Sequence, residues 1–174
     1  MNSFAAVENR PVLSLDWRNK EFYLWSAVFI LGNLALPQLC HLAALGGKIW
    51  LPVYFCTLIA ASRFGWKVAT LTAILSPLLN YAFFAMPPAA VLHIVLVKSL
   101  LIAVLAPLTA KRFGSGSLLA LALAIVGYQL FGALYETLTV SFNAALDDFR
   151  LGWPGLLVQL FGGWLVLKLW QPRN

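Results

Sequence analysis

Charge is what this chain has least of. Of its 174 residues 10% are charged and only six are acidic, whereas a soluble domain carries about a quarter charged residues. That scarcity excludes an ordinary water-facing surface. Histidine and cysteine are scarcer still, two of each. Cys40 and Cys56 lie near or inside apolar segments, their spacing to His41 makes no metal-site pattern, and two thiols make no disulfide framework. HExxH and GxSxG are both missing. The GGK at 46–48 lacks the earlier glycine of a phosphate-binding loop and carries Ile49 where that loop needs Ser or Thr. These absences argue against a metallohydrolase, an intramembrane protease or an ATPase, and no metal or cofactor is expected. Any energy coupling must come from a partner or an ion gradient. The opening residues MNSFAAVENRPVLSLDWRNKEFY hold no short apolar core followed by a small-residue cleavage site, so no cleaved signal peptide is expected.

What is present is apolar. The chain is 61% hydrophobic with a mean hydropathy of +0.84. A spanning helix needs about 20 apolar residues, so the length allows about six spans with short loops and no separate soluble domain. The expectation is an all-α integral membrane protein with six transmembrane helices. Residues 1–20 form a polar cytoplasmic tail at the membrane surface, and residues 21–174 form a single transmembrane domain. The apolar runs fall at about 22–36, 49–62, 66–84, 88–110, 118–140 and 153–170. Pro37 ends or kinks the first, and Pro77 lies inside the third. MPP at 86–88 makes a sharp turn, KRFGSG at 111–116 another, and a loop with Asp147, Asp148 and Arg150 precedes the last run.

With both termini inside, the inner segments hold Arg10, Arg18, Lys20, Arg63, Lys67, Lys111, Arg112, Lys168 and Arg173. The outer loops hold only Lys48 and Arg150. Basic residues concentrate on the cytoplasmic side of membrane proteins, so this bias supports the even span count and the orientation. The net charge of +6 is thereby read as topology and not as a nucleic-acid surface.

Lys98 is the remaining cation, at the centre of VLHIVLVKSLLIAVLAP (91–107). A lysine there costs about 2.5–3.5 kcal/mol on insertion scales, and an intramembrane charge marks a functional site by default. In this topology Lys98 lies near mid-depth, and His93 lies closer to the outer surface. The two point about 140° apart on the helix. Glu136 is the one acid deep in an apolar run, and Gln129, Ala133 and Glu136 share a stripe with Gly132 beside it. Asn80, His41, Trp50 and Tyr128 complete an outward-biased polar set, as an outward-facing cavity for a small polar molecule would need. The same residues admit structural roles: Lys98 paired with Glu136, and Asn80, Gln129 and Gln159 as interhelical hydrogen-bond partners.

Residues 46–88, GGKIWLPVYFCTLIAASRFGWKVATLTAILSPLLNYAFFAMPP, resemble the substrate-binding S components of energy-coupling factor (ECF) transporters. Gly46–Gly47, Leu51–Pro52, Leu75 to Asn80 and Met86 to Pro88 match the elements of that family. The close resemblance covers about a quarter of the chain. It implies a six-helix subunit of a bacterial cytoplasmic membrane that captures a vitamin or related micronutrient from outside. It also implies docking on a transmembrane coupling subunit that carries two cytoplasmic ATPases. The family's Ala-xxx-Ala docking pattern on the first helix is degraded here to Ala27, Leu31 and Ala35, with Gly32 alongside. Related sequences place an acid about where Lys98 stands, and that reversal favours an anionic group on the ligand. In the resulting reading Lys98, His93, Glu136, Gln129, Asn80, Tyr128, Trp50 and His41 line the ligand site. The rivals are a scaffolding membrane protein with an internal Lys98–Glu136 tie and a stand-alone ion-coupled carrier.

Overall fold

The computed structural model describes residues 12–42 and 47–170, and only the backbone of residues 41, 42, 47 and 48. Helix α1 spans Lys20–Leu42, α2 Gly47–Trp50, α3 Pro52–Phe64, α4 Trp66–Phe84, α5 Ala89–Phe113, α6 Leu118–Thr139 and α7 Phe142–Leu157. Helix α7 runs through a π-helical turn, Val158–Gly162, into α8, Gly163–Leu169. No strand is present among the described residues. In hydrocarbon every backbone polar group must be satisfied within the chain, and helices do this locally. Five segments are long and apolar enough to cross a membrane: Lys20–Cys40, Trp66–Phe84, Ala89–Phe113, Leu118–Thr139 and Phe142–Leu169. The chain is built as an integral membrane protein.

Residue size sorts inside from outside. Leu24, Leu31, Phe83, Leu108, Leu138 and Leu169 are exposed around the rim, while Ala60, Ala61, Ala69, Ala73, Ala103 and Ala106 are buried. Lipid solvates leucine as well as a protein core does, so association rests on close packing, which small residues permit. Helix α5 packs along both α4 and α6, and α3 is enclosed by α1, α4 and α5.

Three segments differ from the sequence expectation. Helix α1 does not end at Pro37 but continues to Leu42. A proline leaves the carbonyl four residues earlier without its donor. Here that carbonyl is Asn33 O, and Asn80 Nδ2 of α4 donates to it at 2.9 Å. The helix survives its proline because a neighbour replaces the missing donor.

The second run is divided. Leu51 adopts a left-handed conformation (φ 46°, ψ 43°) between α2 and α3. Pro52 explains the break: proline suits a helix start and disfavours helical geometry in the residue before it. The 13 residues of α3 extend about 20 Å, short of the roughly 30 Å hydrocarbon core.

The expected loop around Asp147 and Asp148 is helical. Phe142, Ala145, Leu146 and Phe149 repeat at the spacing of one helix face, and Ser141 Oγ caps the start by accepting from Ala144 N at 3.1 Å. Charge density in the sequence concealed this amphipathic turn.

One end of the bundle is closed by aromatic rings. Trp25 lies 4.9 Å from Trp170 and 5.0 Å from Phe64. Leu13 N donates to Arg63 O at 2.9 Å, and Lys67 pairs with Asp16. The hydrogen bond from Lys67, aided by the Trp17 amide, holds the Asp16 carboxyl below its usual range. The segment before α1, the α3–α4 turn and the end of α8 thus meet. Gly65, at φ 81°, makes that turn in a conformation other residues avoid.

Candidate functional site: a buried lysine between two carboxylates

Lys98 projects from α5 into the protein and is 1% exposed. Its Nζ lies 2.8 Å from Glu136 Oε2 on α6 and 2.7 Å from Asp148 Oδ2 on α7. Gln129 Nε2, also on α6, donates to the same Asp148 oxygen at 3.2 Å. Gln129, Gly132 and Glu136 lie along one stripe of α6. Gly132 makes room for the lysine stem: a Cβ there would stand 2.6 Å from Lys98 Cγ. Close packing of α5 on α6 and the polar stripe of α6 therefore place the ammonium against the carboxylates.

The electrostatics follow from the count. An isolated ammonium in low dielectric is very costly, and pairing with hydrogen-bonded partners is what makes it tolerable. One lysine against Glu136 and Asp148 leaves one formal negative charge. The sequence points to an anionic ligand group at Lys98, but the ammonium already faces two acids, so its field is spent within the protein. Gln129 Oε1, within this cluster, is buried without a partner among the described residues, as are Ser99 Oγ on α5 and, on α2, Trp50 Nε1.

The remaining site residues separate into other groupings. Asn80 belongs to a second polar knot, centred on Asn33. Asn33 Nδ2 donates to Thr57 Oγ1 at 2.9 Å and to Ser76 Oγ at 3.3 Å, and its Oδ1 accepts from Cys56 N at 3.2 Å. With the Asn80 bond to Asn33 O, this knot joins α1, α3 and α4. Tyr128 donates to Gln159 Oε1 at 2.8 Å, and Gln159 Nε2 donates to Leu51 O at 3.4 Å. That relay ties α6 and the π turn to the break between α2 and α3. His93 packs edge-on against Tyr135, with ring centres 5.9 Å apart, on a different face from Lys98. His41 lies at the end of α1, and its side chain is outside the described residues.

On α1, Ala27, Leu31 and Ala35 are exposed on one face. Gly32 instead faces α3, where a Cβ would stand 2.7 Å from Cys56 Sγ. Its smallness serves packing within the bundle and not that outer face.

Sequence reasoning missed Asp148 and Asn33. The signal for Asp148 was the apolar repeat Phe142–Ala145–Leu146–Phe149, which turns a charged loop into a helix facing α6. The signal for Asn33 was its place four residues before Pro37, where a carbonyl needs an outside donor.

Two grooves mark the outer wall. One, about 320 Å³, lies between α6 and α7, with Gln129, Ala133, Thr137, Ala145 and Phe149 in its lining. The other, about 360 Å³, lies between α5 and α6 and is lined by Val97, Leu100, Val104 and Phe131 among others. Lys98 lines neither. No group of three or more His, Cys, Asp or Glu residues that could hold a metal occurs among the described residues. The chain matches no protein-family model, no curated protein and no solved structure.

Proposed function

We propose that this chain is a membrane-embedded, substrate-binding subunit of the ECF S-component kind, which captures a small micronutrient from outside and passes it to a coupling subunit with two ATPases. The observation that carries the reading is the Lys98–Glu136–Asp148 cluster with Gln129 Oε1 left unmatched beside it. A buried polar group without a partner costs about 1–3 kcal/mol, and a ligand that donates to Gln129 Oε1 relieves that cost. The exposed face with Ala27, Leu31 and Ala35 is the docking surface in this reading.

The proposal includes six crossings with both termini in the cytoplasm. Its support is the meeting of Trp25, Phe64 and Trp170 at one end of the bundle and the contact of Leu13 with Arg63. The α2–α3 segment then makes the second crossing, with the break at Leu51 completing what α3 is too short to span.

A second reading is favoured by the ion pairs themselves. With both carboxylates within 2.8 Å of Lys98, the cluster can serve as an internal tie in a scaffolding protein. Mass spectrometry of small molecules released from gently purified protein, beside a Lys98→Ala sample, separates the two. The transport reading expects one vitamin-like compound in the wild type and its loss from a folded variant. No compound in either sample, with an unfolded variant, would establish the tie and sink the transport reading.

A further inference from the structure

The acceptors around Lys98 outnumber the donors, and one residue of the cluster, Gln129, also lines a groove. Glu136 and Asp148 each spend one oxygen on Lys98, and no other hydrogen bond to either carboxylate from a described side chain is present except that of Gln129 to Asp148 Oδ2. Gln129 is 5% exposed, and its Oε1 is buried without a donor. An amide can be turned to exchange its oxygen and nitrogen, but here the turn would set Oε1 against Asp148 Oδ2, two acceptors face to face. The carboxylate therefore fixes Gln129 with its bare oxygen pointing elsewhere. Gln129 also lines the α6–α7 groove, whose other walls are almost wholly apolar, with Ile125, Leu130 and Phe149 among them.

A ligand that suits this arrangement brings donors and positive charge at one end and an apolar body at the other. Positive charge offsets the residual negative charge of the cluster, and an N–H supplies the donor that Gln129 Oε1 lacks. An anion meets two carboxylates and an unsatisfied oxygen. A groove of about 320 Å³ is at the small end of ligand sites, which suits a single ring. Resting on the reading that the chain binds a small molecule from outside, we infer that the α6–α7 groove recognises an organic cation, an ammonium or amidinium on a compact apolar body, through Gln129, with the charge of Glu136 and Asp148 behind the groove wall favouring the cation.

Three molecules of one shape and three charges test this: benzamidinium, benzamide and benzoate. The full chain is placed in nanodiscs of phosphatidylglycerol, which bring no amine of their own, and thermal unfolding is followed as each probe is titrated. A ligand that binds only the folded state raises the unfolding midpoint with concentration. The expected result is a rise with benzamidinium alone, with an apparent affinity about tenfold weaker in Gln129→Leu. That variant leaves both ion pairs of Lys98 in place and should remain folded; Asp148→Asn offers a second removal of charge. Protection by benzoate, equal protection by all three, or protection by none overturns the inference. So does an undiminished effect in Gln129→Leu. If phosphatidylethanolamine in the disc abolishes the benzamidinium effect, the groove holds a lipid amine and the soluble ligand is ruled out. A compound released from the purified protein that carries no cationic group would defeat this inference while leaving the transport reading intact.

Discussion

Lys98 and Gly132 share one space between α5 and α6, so each limits what the other can be. A methyl group at position 132 would stand 2.6 Å from Lys98 Cγ and 2.8 Å from Cε. The first of these atoms is near the backbone and cannot swing away without moving the ammonium from its carboxylates. Gly132→Ala should therefore destabilise the protein by about 1–3 kcal/mol, the usual range for overpacking, although alanine is the better helix former by about 1 kcal/mol. Steric-trap unfolding in bicelles measures it, and a neutral or stabilising result would mean that Lys98 has another rotamer open to it. Position 132 was legible in the sequence as a small residue beside the polar stripe. The doubly paired lysine was legible only in half: Glu136 stood out as a lone acid in an apolar run, while Asp148 was hidden among the charges of an apparent loop.

At the scale of elements, α2 and α3 are held to the last span by contacts no sequence pattern announces. Gly155 of α7 lies against the backbone of α2, where a Cβ would stand 2.6 Å from Trp50 C and 2.8 Å from Ile49 O. Backbone cannot rotate aside as a side chain can, so Gly155→Ala must push α2 away from α7. The Leu51 carbonyl, held by Gln159 at 3.4 Å, would be drawn off with it. The expected loss is about 2–3 kcal/mol from overpacking and a weakened buried hydrogen bond, seen as a lower unfolding midpoint and faster proteolysis near residue 51. A variant as resistant as the wild type would show that α2 is free to leave α7. Period and length identify α4 to the residue and α5 and α6 to within three residues, because a long apolar run between turn residues has one solution in lipid. The segments that escaped, the continuation of α1 past Pro37 and the start of α7, depend on a donor from another helix and on an amphipathic face. The first is not a local property, and the second was masked by the charges between its apolar residues.

For the whole molecule, the side on which each end lies decides whether the α2–α3 segment crosses. If it only dips into the bilayer and returns, residues before α1 and residues at the α5–α6 turn lie on opposite sides. If it crosses, they share a side. The hydrogen bond from Leu13 to Arg63 and the packing of Trp170 on Trp25 and Phe64 favour the second case, as does the clustering of Arg18, Lys67 and Arg112 in segments that then all face inward. Replacing Cys40 and Cys56 by alanine gives a background without thiols. Arg18, Arg112 and Asp147 are exposed, so single cysteines at these positions can be labelled without unfolding. A membrane-impermeant maleimide should label Asp147→Cys in intact cells, and should reach Arg18→Cys and Arg112→Cys only after permeabilisation. Labelling of Arg18→Cys from outside with Arg112→Cys protected would show five crossings. The Asp147 end would still face outward, but the two termini would part, and the contact of Trp25 with Trp170 would need another explanation.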